Sequence, residues 1–154
     1  DAATGFKAYS GVAASTLSGA NPNGIANISV DPALTGTGNS IYAFRTSSDV
    51  SGGTLRVTAI DNVRSGGVLI NGSNTISTNL IFDPTSATAP GTGIPSEGLV
   101  YVKTGENATI SGNVTSNAFT KFGAGTLTLS GAGNMVAGDL SIQDEPFGLA
   151  ARLP

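Results

Sequence analysis

Residues that could perform chemistry are few in this chain and lack their usual partners. Its 154 residues include 10 Asp and Glu and 7 Lys and Arg, but no His and no Cys. Without His, a Ser or Thr nucleophile loses the commonest general base, and without Cys there is neither a thiol nucleophile nor a disulfide framework. Paired carboxylates are therefore the catalytic groups that remain to be considered.

The acidic residues show no catalytic or metal-binding spacing. Their densest group is Asp139, Asp144 and Glu145. A glycosidase needs two carboxylates facing each other across a cleft at about 5–10 Å, and the scattered acids give no sign of such a pair. A repeat-type calcium site would need a Gly-Gly-x-Gly-x-Asp nonapeptide and six or more oxygen ligands, and the nonapeptide is missing. The sequence therefore predicts no catalytic residue, no metal, no cofactor and no enzymatic activity.

Charge and hydropathy also exclude several kinds of partner. Only 11% of the residues are charged and the net charge is −3, whereas globular chains average about 25% charged residues. The few Lys and Arg are dispersed, so there is no basic stripe for nucleic acid. No segment approaches the ~18 apolar residues that cross a bilayer as a helix. We expect neither nucleic-acid binding nor membrane insertion, and a polar surface made of Ser, Thr and Asn.

Short alternating segments bounded by Gly, Asn or Ser dominate the chain and indicate β-strands. Leu127 and Leu129, for example, alternate with Thr126 and Thr128. Helical periodicity is missing. We predict strands at Ile25–Val30, Ile41–Arg45, Gly53–Ile60, Gly67–Asn71, Asn79–Phe82, Leu99–Lys103, Thr109–Gly112, Phe119–Phe122, Gly125–Leu129 and Asp139–Ile142.

The predicted strands resemble one another, which favours a stacked architecture. Gly-Gly-Thr-Leu-Arg-Val at 52–57 and Gly-Ala-Gly-Thr-Leu-Thr-Leu at 123–129 are variants of one theme, and such self-similarity is typical of solenoids. We predict a single all-β domain, a β-solenoid of about six turns of roughly 20–25 residues. A β-sandwich is the alternative.

The chain divides into four kinds of segment. Residues 1–24 are irregular, 25–143 carry the stacked strands, 83–98 form a Pro-rich loop, and 144–154 are a tail of different character. The start at Asp rather than Met and the abrupt end suggest a fragment or processed piece of a longer chain.

Residues 119–134 read Phe-Thr-Lys-Phe-Gly-Ala-Gly-Thr-Leu-Thr-Leu-Ser-Gly-Ala-Gly-Asn. This segment resembles the autotransporter-associated β-strand repeat, also called the passenger-associated transport repeat. The residues on the pattern of that family are Lys121, Gly123, Gly125, Thr126, Leu127, Leu129, Gly131 and Asn134. One departure is Met135-Val136-Ala137-Gly138, which stands where the family has an aromatic-Thr-Gly turn.

The resemblance implies a right-handed parallel β-helix in a secreted or surface-exposed bacterial protein. Passengers of that family serve as adhesins, as matrix components or, in a minority, as carriers of enzymes. Gly123 and Gly125 open no helix and are expected to form a corner, not a dinucleotide-binding loop. Lys121 is expected to project from its turn and to cover apolar surface with its stem.

These observations predict a non-catalytic structural or adhesive module of an extracellular bacterial fibre or surface protein, assembling head to tail through its ends. An uncapped turn exposes unpaired backbone groups, so the expected partners are other copies or neighbouring segments of the same long protein. A glycan-binding module and a carbohydrate-active lyase or glycosidase are the alternatives. Candidate interface aromatics are Tyr9, Tyr42, Tyr101 and Phe147, of which the three Tyr carry a polar tip suited to an interface.

Overall fold

The structure is a computed structural model that describes residues 12–13, 25–57, 65–82, 97–144 and 147–149. Within these ranges the chain forms short strands and no helix. The strands are β1 (Val12–Ala13), β2 (Ile25–Ile28), β3 (Asn39–Ile41), β4 (Ala43–Thr46), β5 (Thr54–Val57), β6 (Ser65–Ile70), β7 (Thr75–Ile76), β8 (Asn79–Phe82), β9 (Glu97–Val102), β10 (Asn107–Ile110), β11 (Val114–Ser116), β12 (Ala118–Phe122), β13 (Thr126–Leu129), β14 (Met135–Val136), β15 (Leu140–Ile142) and β16 (Phe147–Leu149).

The strands stack into three parallel sheets. Sheet A has the order β1-β2-β4-β6-β9-β12-β15, sheet B the order β14-β11-β8-β5-β3, and sheet C the order β16-β13-β10-β7. From β6 onward the chain visits sheets A, C and B in turn, so each circuit adds one strand to every sheet. The described strands are paired in parallel throughout, which excludes the antiparallel sheets of a β-sandwich. The predicted all-β solenoid is confirmed as a parallel β-helix.

Turn length varies more than the sequence predicted. Successive turns measured in sheet A advance 18, 24, 32, 21 and 21 residues, at the paired positions Ile25, Ala43, Gly67, Leu99, Thr120 and Ser141. The 32-residue turn contains most of the Pro-rich segment, but Glu97 and Gly98 belong to strand β9 and not to a loop. Strand β1 lies within the segment predicted to be irregular and β16 within the predicted tail, and they extend sheets A and C.

Nine of the ten predicted strands each overlap a single observed strand. The exception is Ile41–Arg45, which is divided at Tyr42 because β3 belongs to sheet B and β4 to sheet A. Residues 58–60 of the predicted Gly53–Ile60 lie outside the described residues. Strands β7, β11 and β14 were not predicted, because two or three residues are too few to show alternation.

Alternating side chains fill the interior of the helix. In sheet A, one inward column runs through Phe44, Val68, Val100 and Lys121 in direct register, and all four side chains are buried. Burying a large apolar side chain stabilises a fold by about 1.5–3 kcal/mol. Phe82 and Phe119 meet edge to face in this core, with ring centroids 6.3 Å apart. The core is therefore built from side chains of successive turns that lie in register.

Polar side chains connect the turns at the corner between sheets A and C. Just after the chain leaves sheet C, the Ser51 N–H donates to Oδ1 of Asp31 at 3.0 Å. At the corner between sheets A and C, the Thr75 N–H donates to Oδ1 of Asp49 at 2.7 Å. One turn later, the N–H at the start of β10 donates to Oγ of Ser73 at 3.0 Å. These side chains satisfy backbone donors at positions where strand pairing is interrupted.

A second ladder follows the corner between sheets C and B. The Asn113 N–H donates to Oδ1 of Asn79 at 2.9 Å, and the Gly133 N–H donates to Oδ1 of Asn113 at 2.9 Å. In both ladders the acceptor side chain belongs to the earlier turn and the donor to the later one. The frequent Asn, Ser and Asp residues of the turns thus bond one layer to the next.

Candidate functional site

Titratable groups do not converge on a reaction centre in the described part of the chain. The described residues contain no group of three or more acidic side chains that could hold a metal ion. Lys103 and Glu106 form an exposed ion pair, with Nζ and Oε1 3.8 Å apart, and such pairs contribute about 0–1 kcal/mol. On the outer face of sheet A, Glu97 accepts a hydrogen bond from the Thr120 hydroxyl. These contacts are structural in kind.

Lys121, the one ionisable residue of the repeat-like motif, points inward. Its side chain is 0% exposed, and Nζ donates to the backbone carbonyls of Gly123 and Asp144. The prediction that Lys121 projects from its turn is wrong. The reason is register: Lys121 pairs with the buried Val100 of the preceding turn, so that it continues an inward column. Its ammonium connects the corner after β12 to the last described turn.

The glycines of the motif occupy corners, as predicted. Gly123 has φ +81°, a left-handed conformation that favours glycine. A Cβ at Gly125 would lie 2.2 Å from the carbonyl oxygen of Lys103, and a Cβ at Gly131 would lie 2.4 Å from that of Gly112. Glycine is required at these two positions because the backbone of the preceding turn passes too close for any side chain.

The remaining motif residues belong to the core and to the sheets that surround it. Leu127 and Leu129 are fully buried on β13, while Thr126 is half-buried on its other face. Asn134 is buried, and its Oδ1 accepts a hydrogen bond from the Val114 N–H at 2.9 Å. The motif residues thus serve the fold and do not gather at a binding surface.

The outer face of sheet A carries an apolar groove that crosses the strands. Outward residues of successive turns align in two columns. The first contains Ile25, Ala43, Gly67 and Leu99, and the second contains Asn27, Arg45, Leu69, Tyr101 and Phe122. Ala43 and Gly67 are neighbours in the first column, and both are small. The surface therefore forms a depression between the larger side chains of Ile25 and Leu99. A Cβ added at Gly67 would meet nothing within 4 Å.

The groove has a volume of about 530 Å³ and is lined mainly by apolar side chains. Only Asn27 and Arg45 among its twelve lining residues are polar or charged, apart from the Tyr101 hydroxyl. Leu69 and Phe122 are 39% and 37% exposed. The rings of Tyr101 and Phe122 lie 5.3 Å apart, tilted by 59°. Contiguous exposed apolar surface of this kind is typical of a binding site.

The groove is polar at one end and aromatic at the other. Asn27 lies on β2 and Arg45 on β4, toward the first turns, whereas Phe122 lies on β12. Arg45 is exposed, and no hydrogen bond or ion pair joins its guanidinium to another described residue. The only full positive charge on the groove lining therefore faces solvent beside an apolar surface.

Tyr42 and Tyr101 are the predicted interface aromatics whose side chains the structure describes, and they do not share a surface. Tyr101 lines the groove, while Tyr42 is half-buried between sheets A and B and does not line it. Tyr9 lies outside the described residues, and Phe147 lies on β16 with its side chain outside them. Sequence reasoning missed Arg45, Gly67 and the outward direction of Phe122. Alternation within each strand indicates which residues face outward. It does not show which outward residues of different turns lie side by side, because the turns differ in length and the strand register is needed to align them.

The C-terminal end of the described β-helix is a second surface of interest. Strands β14, β15 and β16 are the last members of sheets B, A and C. Ile142 pairs with Lys121 and so occupies an inward position, yet it is 37% exposed. An apolar core position is therefore open at this end of the described strands.

Comparison with known proteins gives no relative: no family model, no curated protein and no solved structure matches the chain. Among the residues that the structure describes, no helix is long and apolar enough to span a membrane.

Proposed function

We propose that this chain is a non-catalytic structural or adhesive module of an extracellular bacterial fibre or surface protein, joined along its axis to further β-helical turns. The observation that carries the proposal is the C-terminal end of the described strands, where the last described strand of each sheet lies close to an exposed core position. The resemblance of residues 119–134 to the autotransporter-associated repeat supports the extracellular setting.

Hydrogen bonding at β15 indicates what this end can accept. The Phe119 N–H donates to the Asp139 carbonyl at 2.9 Å, and the Gln143 N–H donates to the Lys121 carbonyl at 2.8 Å. Alternate residues of a parallel strand bond to opposite neighbours. The backbone groups of Ile142 therefore face away from β12, toward the position of a following strand.

A further β-helical turn is the partner that fits this edge best. It would supply a parallel strand to each sheet, and an apolar side chain over Ile142. Low charge favours such contact, since the chain has a net charge of only −3, and unpaired strand edges are templates for pairing with another chain. In a longer protein the next segment would fill this role, and in the isolated chain a second copy would do so.

Sedimentation velocity over a concentration series tests the proposal, with Ile142→Lys as the disrupting variant and Ser111→Lys as its control. Ser111 is exposed and lies between β10 and β11, which have neighbouring strands on both sides. We expect the wild type and Ser111→Lys to form larger species as concentration rises, and Ile142→Lys to remain monomeric. A wild type that stays monomeric at its highest soluble concentration contradicts axial joining. Turnover of polysaccharides in a parallel assay would contradict a non-catalytic role.

A further inference from the structure

We propose that the groove on sheet A binds a single-chain amphiphile with a carboxylate head group, the tail lying along the apolar floor and the head at Arg45. The site is independent of the axial contact, because its lining belongs to β2, β4, β6, β9 and β12, whereas the open end is formed by β14, β15 and β16.

The length of the groove suits an extended chain. It crosses from β2 to β12, which are four strand spacings apart in sheet A. At about 4.8 Å per spacing this gives roughly 19 Å. The volume of about 530 Å³ falls within the range of ~300–1,000 Å³ typical of small-molecule sites. A long, narrow ligand therefore fits better than a compact one.

The floor of the groove lies where the outward side chains are small or absent. Ala43 and Gly67 stand next to each other in the outward column, between Ile25 and Leu99. Because no Cβ is present at Gly67, a ligand can lie against the backbone between the walls formed by Leu69 and Leu99. The affinity for an alkyl chain comes from apolar surface removed from water.

The ends of the groove define the direction of the ligand. Arg45 can donate two parallel hydrogen bonds to a carboxylate, and Asn27 lies beside it in register. The opposite end is closed by the Tyr101 and Phe122 rings, which offer apolar surface to the end of a tail. A glycan would need hydrogen-bond partners along its whole length, and the middle of the groove provides aliphatic side chains instead.

Isothermal titration calorimetry with decanoate, below its critical micelle concentration, tests the site on the full chain. Gly67→Leu fills the floor, and the open space around this glycine allows the substitution without backbone strain. Gly38→Leu is the matched control, because a Cβ at Gly38 also meets nothing within 4 Å. We expect saturable binding by the wild type and by Gly38→Leu, and no saturable binding by Gly67→Leu. Circular dichroism checks that both variants keep the fold.

The role of the charge is tested with Arg45→Gln and with 1-decanol as the uncharged ligand. We expect Arg45→Gln to lower decanoate affinity about tenfold, as for loss of a hydrogen bond to a charged group, and to leave decanol affinity unchanged. Lys103→Gln removes a positive charge elsewhere and should bind decanoate like the wild type. The proposal is overturned if the wild type does not bind decanoate, if Gly67→Leu binds it normally, or if Arg45→Gln loses no affinity. Binding of a neutral oligosaccharide that Gly67→Leu abolishes would also overturn it.

Discussion

Replacing Lys121 with Met should loosen the last described turn while leaving the core volume almost unchanged. The methionine side chain has a similar length, but it cannot donate to the carbonyls of Gly123 and Asp144 that the ammonium now bonds. The bond to Gly123 is buried, whereas the bond to Asp144 is only partly buried. Water can therefore replace the ammonium at Asp144 but not at Gly123.

The size of the effect follows from that difference. One buried carbonyl left without its donor costs about 1–3 kcal/mol. Relief of the desolvation of a buried ammonium offsets part of this cost, so we expect a loss of about 1–2 kcal/mol in the free energy of unfolding. Lys103→Met is the control, because its exposed ion pair with Glu106 contributes about 0–1 kcal/mol.

Urea unfolding combined with amide hydrogen exchange measures both the magnitude and the location of the change. Exchange should accelerate at the Gln143 amide, which donates to the Lys121 carbonyl, and remain unchanged at the Asn107 amide in the middle of the stack. A Lys121→Met variant with wild-type stability and wild-type exchange in residues 139–144 would refute the view that this ammonium holds the last turn.

Two further predictions follow from burial and charge. Phe119→Ala should lower the free energy of unfolding by about 3–5 kcal/mol, because the ring is fully buried. Phe122→Ala, on the outer face of the same strand, should lower it by about 1 kcal/mol or less. Equal losses in urea unfolding would show that the two faces are wrongly assigned. Hydrogen bonds from the Ala33 and Ser51 amides and the Ser51 hydroxyl hold the pKa of the Asp31 carboxyl below its ordinary 3.8. The charge of Asp31 therefore stabilises the fold above pH 3.8, and this contribution is lost as pH falls through the lower folded pKa. The stability difference between wild type and Asp31→Asn should disappear in that acidic range, and a difference that instead grows there would contradict the sign.

Much of the fold was predictable because the interior of a solenoid repeats a simple pattern. Leu127 and Leu129 alternate with Thr, and the corner at Gly123 is marked by its residue type, so strand and turn could both be assigned. The inward face of strand β12 was harder to predict. Phe119 and Phe122 are three residues apart and therefore face opposite sides of the strand, so hydropathy alone does not show which side faces the core. Only pairing with the preceding turn shows that Lys121 is inside.

The groove could not be predicted for a related reason. Its floor requires Ala43 and Gly67 to stand next to each other, although they are separated by a turn of 24 residues and are followed by one of 32. Sequence patterns indicate which residues of a strand face inward and which face outward. They do not give the register between strands that are joined by connections of unequal length. The exposure of Arg45 beside this groove likewise depends on which residues surround it in space.

The unequal connections have a practical consequence for the use of this scaffold. Between sheet B and sheet A the chain is joined by one residue, Asn117, in one turn and by fourteen residues, 83–96, in another. Strand pairing continues in register across both turns. This corner therefore accommodates inserted sequence without a change in the stacked sheets, which makes it a suitable place to graft a foreign peptide for display on the side of a β-helical rod.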